Sequence, residues 1–193
     1  MSERSELPDQ HRLHADAVRV LTEYQPEDPN QQRLRAAYLA HLATHADGLW
    51  RTCAPAHITA SALVLDAELR QVGLVLHPRA RLWLQPGGHC EPTDATLADA
   101  ALREATEETL IEGLRILGAP VLLDRHPAPC RRKRPDVEHH LDVMYAALAP
   151  AGAQPRASEE SLDAGWFGVD ELPEQTDDAV RTLVRVALAR ARP

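Results

Sequence analysis

The chain has 193 residues, of which 44% are hydrophobic and 26% are charged. This usage is ordinary for one globular domain and excludes a disordered chain or a fibrous repeat. The 29 acidic residues exceed the 21 basic residues and give a net charge of -8, so duplex DNA or RNA is not expected as the main partner.

The start of the chain and its cysteines indicate the compartment in which we expect the protein. No stretch approaches the ~18 consecutive apolar residues of a membrane span, and residues 1–10 lack the charged-then-apolar order of a signal peptide. Cys53, Cys90 and Cys130 are far apart and form no CxxC pair, which favours free thiols in a reducing compartment. We therefore expect a cytoplasmic protein without a membrane partner.

Residues 1–55 are expected to form a helical extension that packs on the same domain as the rest of the chain. Apolar residues recur at helical spacing within residues 15–24, and prolines then break the pattern. Asn30 is expected to cap a second helix, which ends near Gly48.

From residue 57 onward the hydrophobic period changes to that of β-strands. The expected elements are strands at residues 58–65, 72–76 and 81–85, a helix at 96–110, strands at 116–123, 140–148 and 165–169, and a helix at 177–191. Pro86 and the two glycines after it are expected to stop the third strand. Strands, one central helix, more strands and a last helix predict an α/β architecture.

Three glutamates of the predicted central helix lie on one helix face. Glu104, Glu107 and Glu108 are at i, i+3 and i+4, a spacing that makes them surface neighbours. Each like-charged pair costs roughly a few tenths of a kcal/mol, which a divalent cation would offset. Arg103 can hold Glu107, its i+4 neighbour, by an ion pair. A solvated acidic helix face is the alternative interpretation.

The glutamates belong to a longer pattern in residues 84–111, which read LQPGGHCEPTDATLADAALREATEETLI. This stretch resembles the Nudix box, Gx5Ex7REUxEExGU, in which U is a bulky aliphatic residue. Gly88 matches the family glycine, residues 103–108 match REUxEE with a small Ala105 at U, and Ile111 fits the final U.

The pattern departs from the family at two further positions. Asp94 replaces the first family Glu and lies one residue farther from the Arg, and Leu110 stands where the family has its last Gly. These departures suggest a one-residue insertion and a helix that ends without the αL glycine.

The resemblance implies a Nudix-like α/β/α sandwich with a mixed sheet over residues 56–193, preceded by the helical extension. It implies hydrolysis of a diphosphate linkage in a small nucleotide-type substrate, either a nucleoside diphosphate joined to another group or a nucleoside triphosphate. Mg²⁺ or Mn²⁺ would be the cofactor. Homodimers are frequent in the family, so a homodimer is a further expectation.

The family's roles carry over to residues of the box. The resemblance implies that the carboxylates of Glu104, Glu107 and Glu108 and the carbonyl of Gly87 are metal ligands. It makes Arg103 the residue that orients them.

Residues outside the helix add candidates for substrate binding, and Gly88 is a further one, because its backbone can approach a ligand closely. His140 and Asp142 share a strand face and can line the cleft, although the polar side of a half-exposed strand is the alternative. Arg131 begins the basic run RRKR, which can attract a polyphosphate or be a solvated loop. Glu160 lies in a late loop, from which the family sometimes supplies a metal ligand or the general base.

Two other functions stay open from the sequence. The departures from the box and the unmatched first 55 residues also fit a Nudix-fold protein that binds nucleotides as a sensor and hydrolyses them weakly. The same fold hosts isopentenyl diphosphate isomerisation, which needs a particular Cys, and Cys90 does not stand at the expected place. Hydrolysis is preferred because all three box glutamates and Arg103 are present.

Overall fold

The computed structural model describes residues 10–128 and 136–191. Its elements, in chain order, are α1 (Gln10–Glu23), α2 (Pro29–Thr44), β1 (Ala56–Leu65), β2 (Gln71–Leu76), β3 (Trp83–Leu84), β4 (Gly87–His89), α3 (Leu97–Thr109), β5 (Arg115–Ile116), β6 (Leu122–Pro127), β7 (His139–Leu148), β8 (Ala164–Gly168) and α4 (Asp178–Ala191).

The sheet is mixed and is organised around its two longest strands. β1 and β7 pair in parallel along their whole length, from Ala56 opposite His139 to Leu65 opposite Leu148. β2 and β4 pair with β1, and β5 and β6 pair with β7, all antiparallel. β3 and β8 extend the sheet from β2. The middle of the sheet is therefore the β1–β7 pair, where side chains on both faces are covered.

Helices cover the two faces of the sheet. One face carries α1, α2 and α3, and buried side chains of these helices form one core with the even-numbered residues of β1. The other face carries α4, whose Val180, Leu183 and Val184 pack with Leu63 and Leu65 of β1. The expected α/β/α sandwich with a mixed sheet and preceding helices is confirmed. In the described part of the chain, no helix has both the length and the hydrophobicity needed to cross a membrane.

The two N-terminal helices contribute to the same core as the sheet. Leu13, Leu21 and Leu42 are buried in it. Gln31 also completes the edge of β6, because its amide accepts from the backbone N of Leu123 at 2.7 Å and donates to the backbone O at 2.9 Å. The division of the chain at residue 55 stays a prediction.

Local backbone chemistry corrects several expected boundaries in the N-terminal half. Asp28, not Asn30, caps α2, because its side chain accepts from Gln31 N and proline follows at the first helical position. The expected strand at 81–85 is shortened to β3, since Arg81 has φ 58°. β3 ends at Leu84, just before Pro86 as expected, and the glycine pair then begins β4.

Turns also reshape the elements that follow. The strand expected at 116–123 divides into β5 and β6 around Gly118, which has φ 72°. The central helix α3 ends at Thr109, and its C-cap residue Leu110 adopts the left-handed conformation with φ 54°. The helix thus keeps the αL cap but makes it with a leucine.

Candidate active site

Helix α3 carries two buried carboxylates on the side that meets the sheet. Its Thr96 N-cap accepts from Asp99 N, and Ala100, Ala101 and Ala105 pack in the core, which fixes the rotation of the helix. This rotation therefore decides which of the helix's glutamates face the interior.

That rotation separates the three glutamates. Glu104 and Glu108 follow one another by a helical turn, and each residue is 8% exposed. The side chain of Glu107 is 53% exposed. Two carboxylates thus face inward and one faces outward.

Arg103 joins the carboxylates to the loop before the helix. Its guanidinium binds both carboxylate oxygens of Asp94 at 3.1 Å and donates to Glu104 and Glu107 at 3.1 and 2.9 Å. It also donates to the carbonyl of His89 at 2.9 Å. The expected Arg103–Glu107 contact is therefore present, and Asp94 reaches the arginine despite the extra residue between them.

The glycine pair of β4 lies against the buried carboxylates. Gly87 N donates to Glu108 Oε2 at 3.0 Å. A Cβ on Gly88 would stand 2.7 Å from Glu104 Cδ, and a Cβ on Gly87 would overlap the side chain of Ser61. At Gly87 only glycine fits beside the β1 backbone, and at Gly88 an added Cβ would displace the carboxylate of Glu104.

Burial disfavours the charged form of the two inward carboxylates in the absence of a cation. It raises the pKa of Glu104 to about 7, against the opposing effect of Arg103. It raises the pKa of Glu108 to about 8, against the opposing hydrogen bond from Gly87, and Glu104 and Glu160 add to the rise. A hard divalent cation takes oxygen ligands and would stabilise the charged form of both carboxylates, which burial alone disfavours. The residues present therefore fit Mg²⁺ or Mn²⁺.

The sheet supplies a second set of polar groups through strand alternation. His57, Thr59 and Ser61 of β1 share one face, and His140 and Asp142 of β7 lie opposite the first two in register. His140 and Asp142 therefore share a strand face, as the sequence predicts.

Asp142 is held at a fixed orientation on that face. Its carboxylate accepts from Thr59 Oγ1 at 2.9 Å and from Ser61 Oγ at 2.6 Å. Burial raises the pKa of Asp142, and these two hydrogen bonds oppose the rise.

Histidines continue this polar face. The ring of His89 lies 5.0 Å from that of His57 and 5.1 Å from that of His140, between centroids. His126 of β6 lies beyond His140, and its Nδ1 is 2.8 Å from Asp124 Oδ2. Burial lowers the pKa of His89 to about 4 and that of His140 further, and neighbouring histidines add to both effects. His89 and His140 are therefore neutral at pH 7.

Both sets of groups line one cleft of about 670 Å³. We call the four residues at α3 and β4 the carboxylate side; they are Gly87, Gly88, Glu104 and Glu108. We call the polar residues of β1, β4 and β7 the sheet side; they are Thr59, Ser61, His89, His140 and Asp142. Each of these nine residues lines the cleft.

The structure brings together most of the site residues expected from the sequence. Glu160 also lines the cleft, whereas Glu107 does not and instead contacts Arg103. Arg131 lies outside the described residues.

Sequence reasoning missed several residues that line the cleft. They are Arg51, Thr59, Ser61, His77, Arg79, His89, Asp124 and His126. A usable signal existed for β1, where His57, Thr59 and Ser61 alternate with apolar residues in a strand that is otherwise hydrophobic. Arg51 and Arg79 lie in turns, where no period marks them.

Comparison with known structures places the fold. A hydrolase of the NUDIX family from Clostridium perfringens matches with a TM-score of 0.53 and 22% identity, over 70% of this chain and 96% of that one. A C. elegans Ap4A hydrolase matches with a TM-score of 0.57 and 18% identity, over 68% and 95%. The E. coli dihydroneopterin triphosphate pyrophosphohydrolase matches with a TM-score of 0.55 and 17% identity, over 66% and 92%. At these identities the likeness concerns the fold.

Sequence comparison identifies the family. A search of curated proteins found no match. The family model for the NUDIX domain matches residues 55–186, which contain the glycine pair, α3 and the sheet side of the cleft. The chain therefore belongs to the Nudix hydrolase family.

Proposed function

We propose that this protein hydrolyses a diphosphate linkage in a small nucleotide-type substrate, with Mg²⁺ or Mn²⁺ as cofactor. The observation that carries the proposal is the meeting of Glu104 and Glu108 with the Gly87–Gly88 backbone inside a cleft of about 670 Å³. That volume is within the range of small-molecule sites.

The carboxylate side would hold the ions. Glu104 and Glu108 offer the inward carboxylates, the Gly87 carbonyl is the backbone ligand that the family pattern implies, and Glu107 is the outer carboxylate. Divalent ions at such a site neutralise phosphate charge and activate water for attack. Arg103 keeps Glu104 in place through its contacts with Asp94 and the His89 carbonyl.

The rest of the cleft would bind the substrate. Arg51 and Arg79 line it and supply positive charge for phosphate groups. His140 and Asp142 present polar groups on the sheet side, and Glu160, which also lines the cleft, is our candidate for a late-loop ligand or base. Two of the structural neighbours carry names that specify Ap4A and dihydroneopterin triphosphate, so substrates with linked phosphates are the first ones to test.

The direct test is a substrate panel with products identified by mass. Purified protein is incubated with Mg²⁺ or Mn²⁺ and nucleotide sugars, ADP-ribose, dinucleoside polyphosphates and nucleoside triphosphates. We expect cleavage at a diphosphate bond that stops when the metal is chelated. Binding of one of these compounds without any product would instead support the sensor function.

The isomerase function receives no support from Cys90. This residue is 6% exposed, it is not among the residues that line the cleft, and burial raises the pKa of its thiol. The homodimer and the cytoplasmic location stay predictions, which gel filtration and cell fractionation can test.

A further inference from the structure

Three imidazoles converge beside the cleft from three different strands. His57 comes from β1, His89 from β4 and His140 from β7, and each ring centroid lies 4.9 to 5.1 Å from the other two. One nitrogen of each ring can be chosen so that all three lie within 4.8 Å of one another. Nitrogen donors at such separations can bind one ion.

The pairing of the strands, not a local motif, makes this cluster. His57 and His140 are direct partners in the parallel β1–β7 register. His89 pairs with Thr59, the next residue on the same face of β1 as His57. The three side chains therefore occupy neighbouring positions on one face of the sheet, and the backbone fixes their spacing.

The state of two ring nitrogens in the cluster fits a bound ion. His89 Nε2 is buried and has no hydrogen-bond partner within residues 10–128 and 136–191. A buried polar atom in this state needs an explanation, and an ion bound between the three rings supplies one. The Nδ1 of His57 lies 3.4 Å from the carbonyl O of Cys53. A backbone carbonyl at one ring nitrogen commonly orients the other nitrogen toward a metal.

The chemistry of the cluster separates it from the carboxylate side. Three imidazole nitrogens suit Zn²⁺ and similar transition metals, whereas Mg²⁺ selects oxygen ligands. Arg51 lines the same cleft, and its positive charge disfavours an ion held by electrostatic attraction alone. A metal that forms strong bonds to nitrogen is therefore favoured here.

The open side of the cluster faces the cleft. His89 and His140 line the cleft, while His57 is fully buried behind them. In a tetrahedral site, nitrogen ligands that lie about 2.0–2.1 Å from the zinc are about 3.3 Å from one another. Ring rotations that move each nitrogen by about an ångström would therefore close the cluster around the ion.

We propose that His57, His89 and His140 form a Zn²⁺ site whose fourth coordination position is open to the cleft. This position would take a water or an anionic oxygen of a bound ligand. The site is separate from the carboxylates proposed for Mg²⁺ or Mn²⁺, and zinc binding can be measured without any turnover.

The test measures zinc binding to the metal-stripped full chain in millimolar Mg²⁺, which keeps the carboxylate side occupied. We expect one zinc per chain after gel filtration, by elemental analysis. His89→Gln and His140→Gln should each weaken zinc binding by more than the ~100-fold that loss of an outer-shell partner can cost. The double variant Glu104→Gln/Glu108→Gln should keep zinc.

His77→Gln is the matched control, because His77 lines the same cleft outside the cluster. It should bind zinc like the wild type. Co²⁺ bound to the wild-type chain gives a readout that needs no variant, and we expect the intense visible absorption of four-coordinate Co²⁺. Absence of zinc from the wild type, a weak six-coordinate Co²⁺ spectrum, or loss of zinc in the glutamate variant but not in the histidine variants would overturn the proposal.

Discussion

The two sides of the cleft respond to burial in opposite directions. On the carboxylate side, burial raises the pKa of Glu104 and Glu108. On the sheet side, burial lowers the pKa of His89 and His140. In each case the low-dielectric interior disfavours the charged form. Each side therefore has donors suited to a cation, but oxygen donors for a hard ion on one side and nitrogen donors for a transition metal on the other.

The origin of the two sides also differs. The carboxylate side comes from residues 87–108, which a single strand and the following helix bring together. The sheet side comes from β1, β4 and β7, which lie far apart in the chain and meet only through strand pairing. The carboxylate side should therefore be sensitive to changes in one helix, and the sheet side to changes in register.

The largest effect should come from removing one inward carboxylate. Glu108→Gln should lower kcat by about 10³-fold or more, because a metal ligand contributes several kcal/mol of charge stabilisation. Glu107→Gln should lower it roughly tenfold, since Glu107 is half exposed and contacts Arg103. Steady-state kinetics on the substrate found by the panel measures both. Equal losses in the two variants would mean that the inward and outward glutamates share one role.

The next effect should come from filling the space between β4 and the helix. Gly88→Ala places a Cβ 2.7 Å from Glu104 Cδ, so the carboxylate must move. We expect a loss of roughly 10²-fold in kcat with little change in the free energy of unfolding, because the displaced atoms are the far end of the Glu104 side chain and its position matters mainly for the site.

Gly165→Ala is the control for that change. The nearest atom to its added Cβ would be 3.7 Å away, which is an ordinary contact. Denaturant unfolding and kinetics should find little change in this variant. Full activity of Gly88→Ala would show that the close approach of backbone and carboxylate is not needed.

A third test compares the pH dependence of the two sides in chelated protein. The folded-state pKa of Glu108 is raised to about 8 from the ~4.3 of an unfolded Glu, so its contribution to stability is full below pH ~4.3 and is lost as pH rises through about 8. The folded-state pKa of His89 is lowered to about 4 from ~6.5, so its contribution is full above pH ~6.5 and is lost as pH falls through about 4.

Variants separate the two contributions. The Tm of Glu108→Gln relative to wild type should increase by roughly 10 °C from pH 5 to 8.5. The Tm of His89→Gln relative to wild type should increase by a similar amount from pH 7 down to 4. Thermal unfolding by circular dichroism gives both profiles. Profiles that run parallel for the two variants would contradict the opposite action of burial on the two sides.

The carboxylate side was largely predictable from the sequence because its chemistry is local. Helix periodicity places Glu104 and Glu108 on one face, and the matched box adds Arg103 and the glycines. The sequence could not show that Glu107 turns outward, because the rotation of α3 depends on how its alanines pack against the sheet.

The sheet side was only partly predictable because it depends on register. Alternation in β7 predicted that His140 and Asp142 share a strand face. It did not predict which residues would hydrogen-bond to Asp142. Those are Thr59 and Ser61, which only the parallel pairing with β1 brings within hydrogen-bond distance. The backbone turn at Arg81 that shortens β3 has no signal in residue type, since arginine rarely adopts positive φ.

The smallest effect should come from the end of the helix that carries the carboxylate side. Leu110 caps α3 at φ 54° and is 43% exposed, so its side chain strains the backbone while burying little area. Leu110→Gly should remove that strain and raise Tm by about 1–3 °C, with kcat unchanged because the core alanines, not the cap, set the rotation of the helix. Leu162→Gly, at an equally exposed leucine without positive φ, should give no such gain. A change in kcat for Leu110→Gly would show instead that the cap helps to position Glu108. The carboxylate side would then depend on residues beyond α3, just as the sheet side depends on the pairing of distant strands.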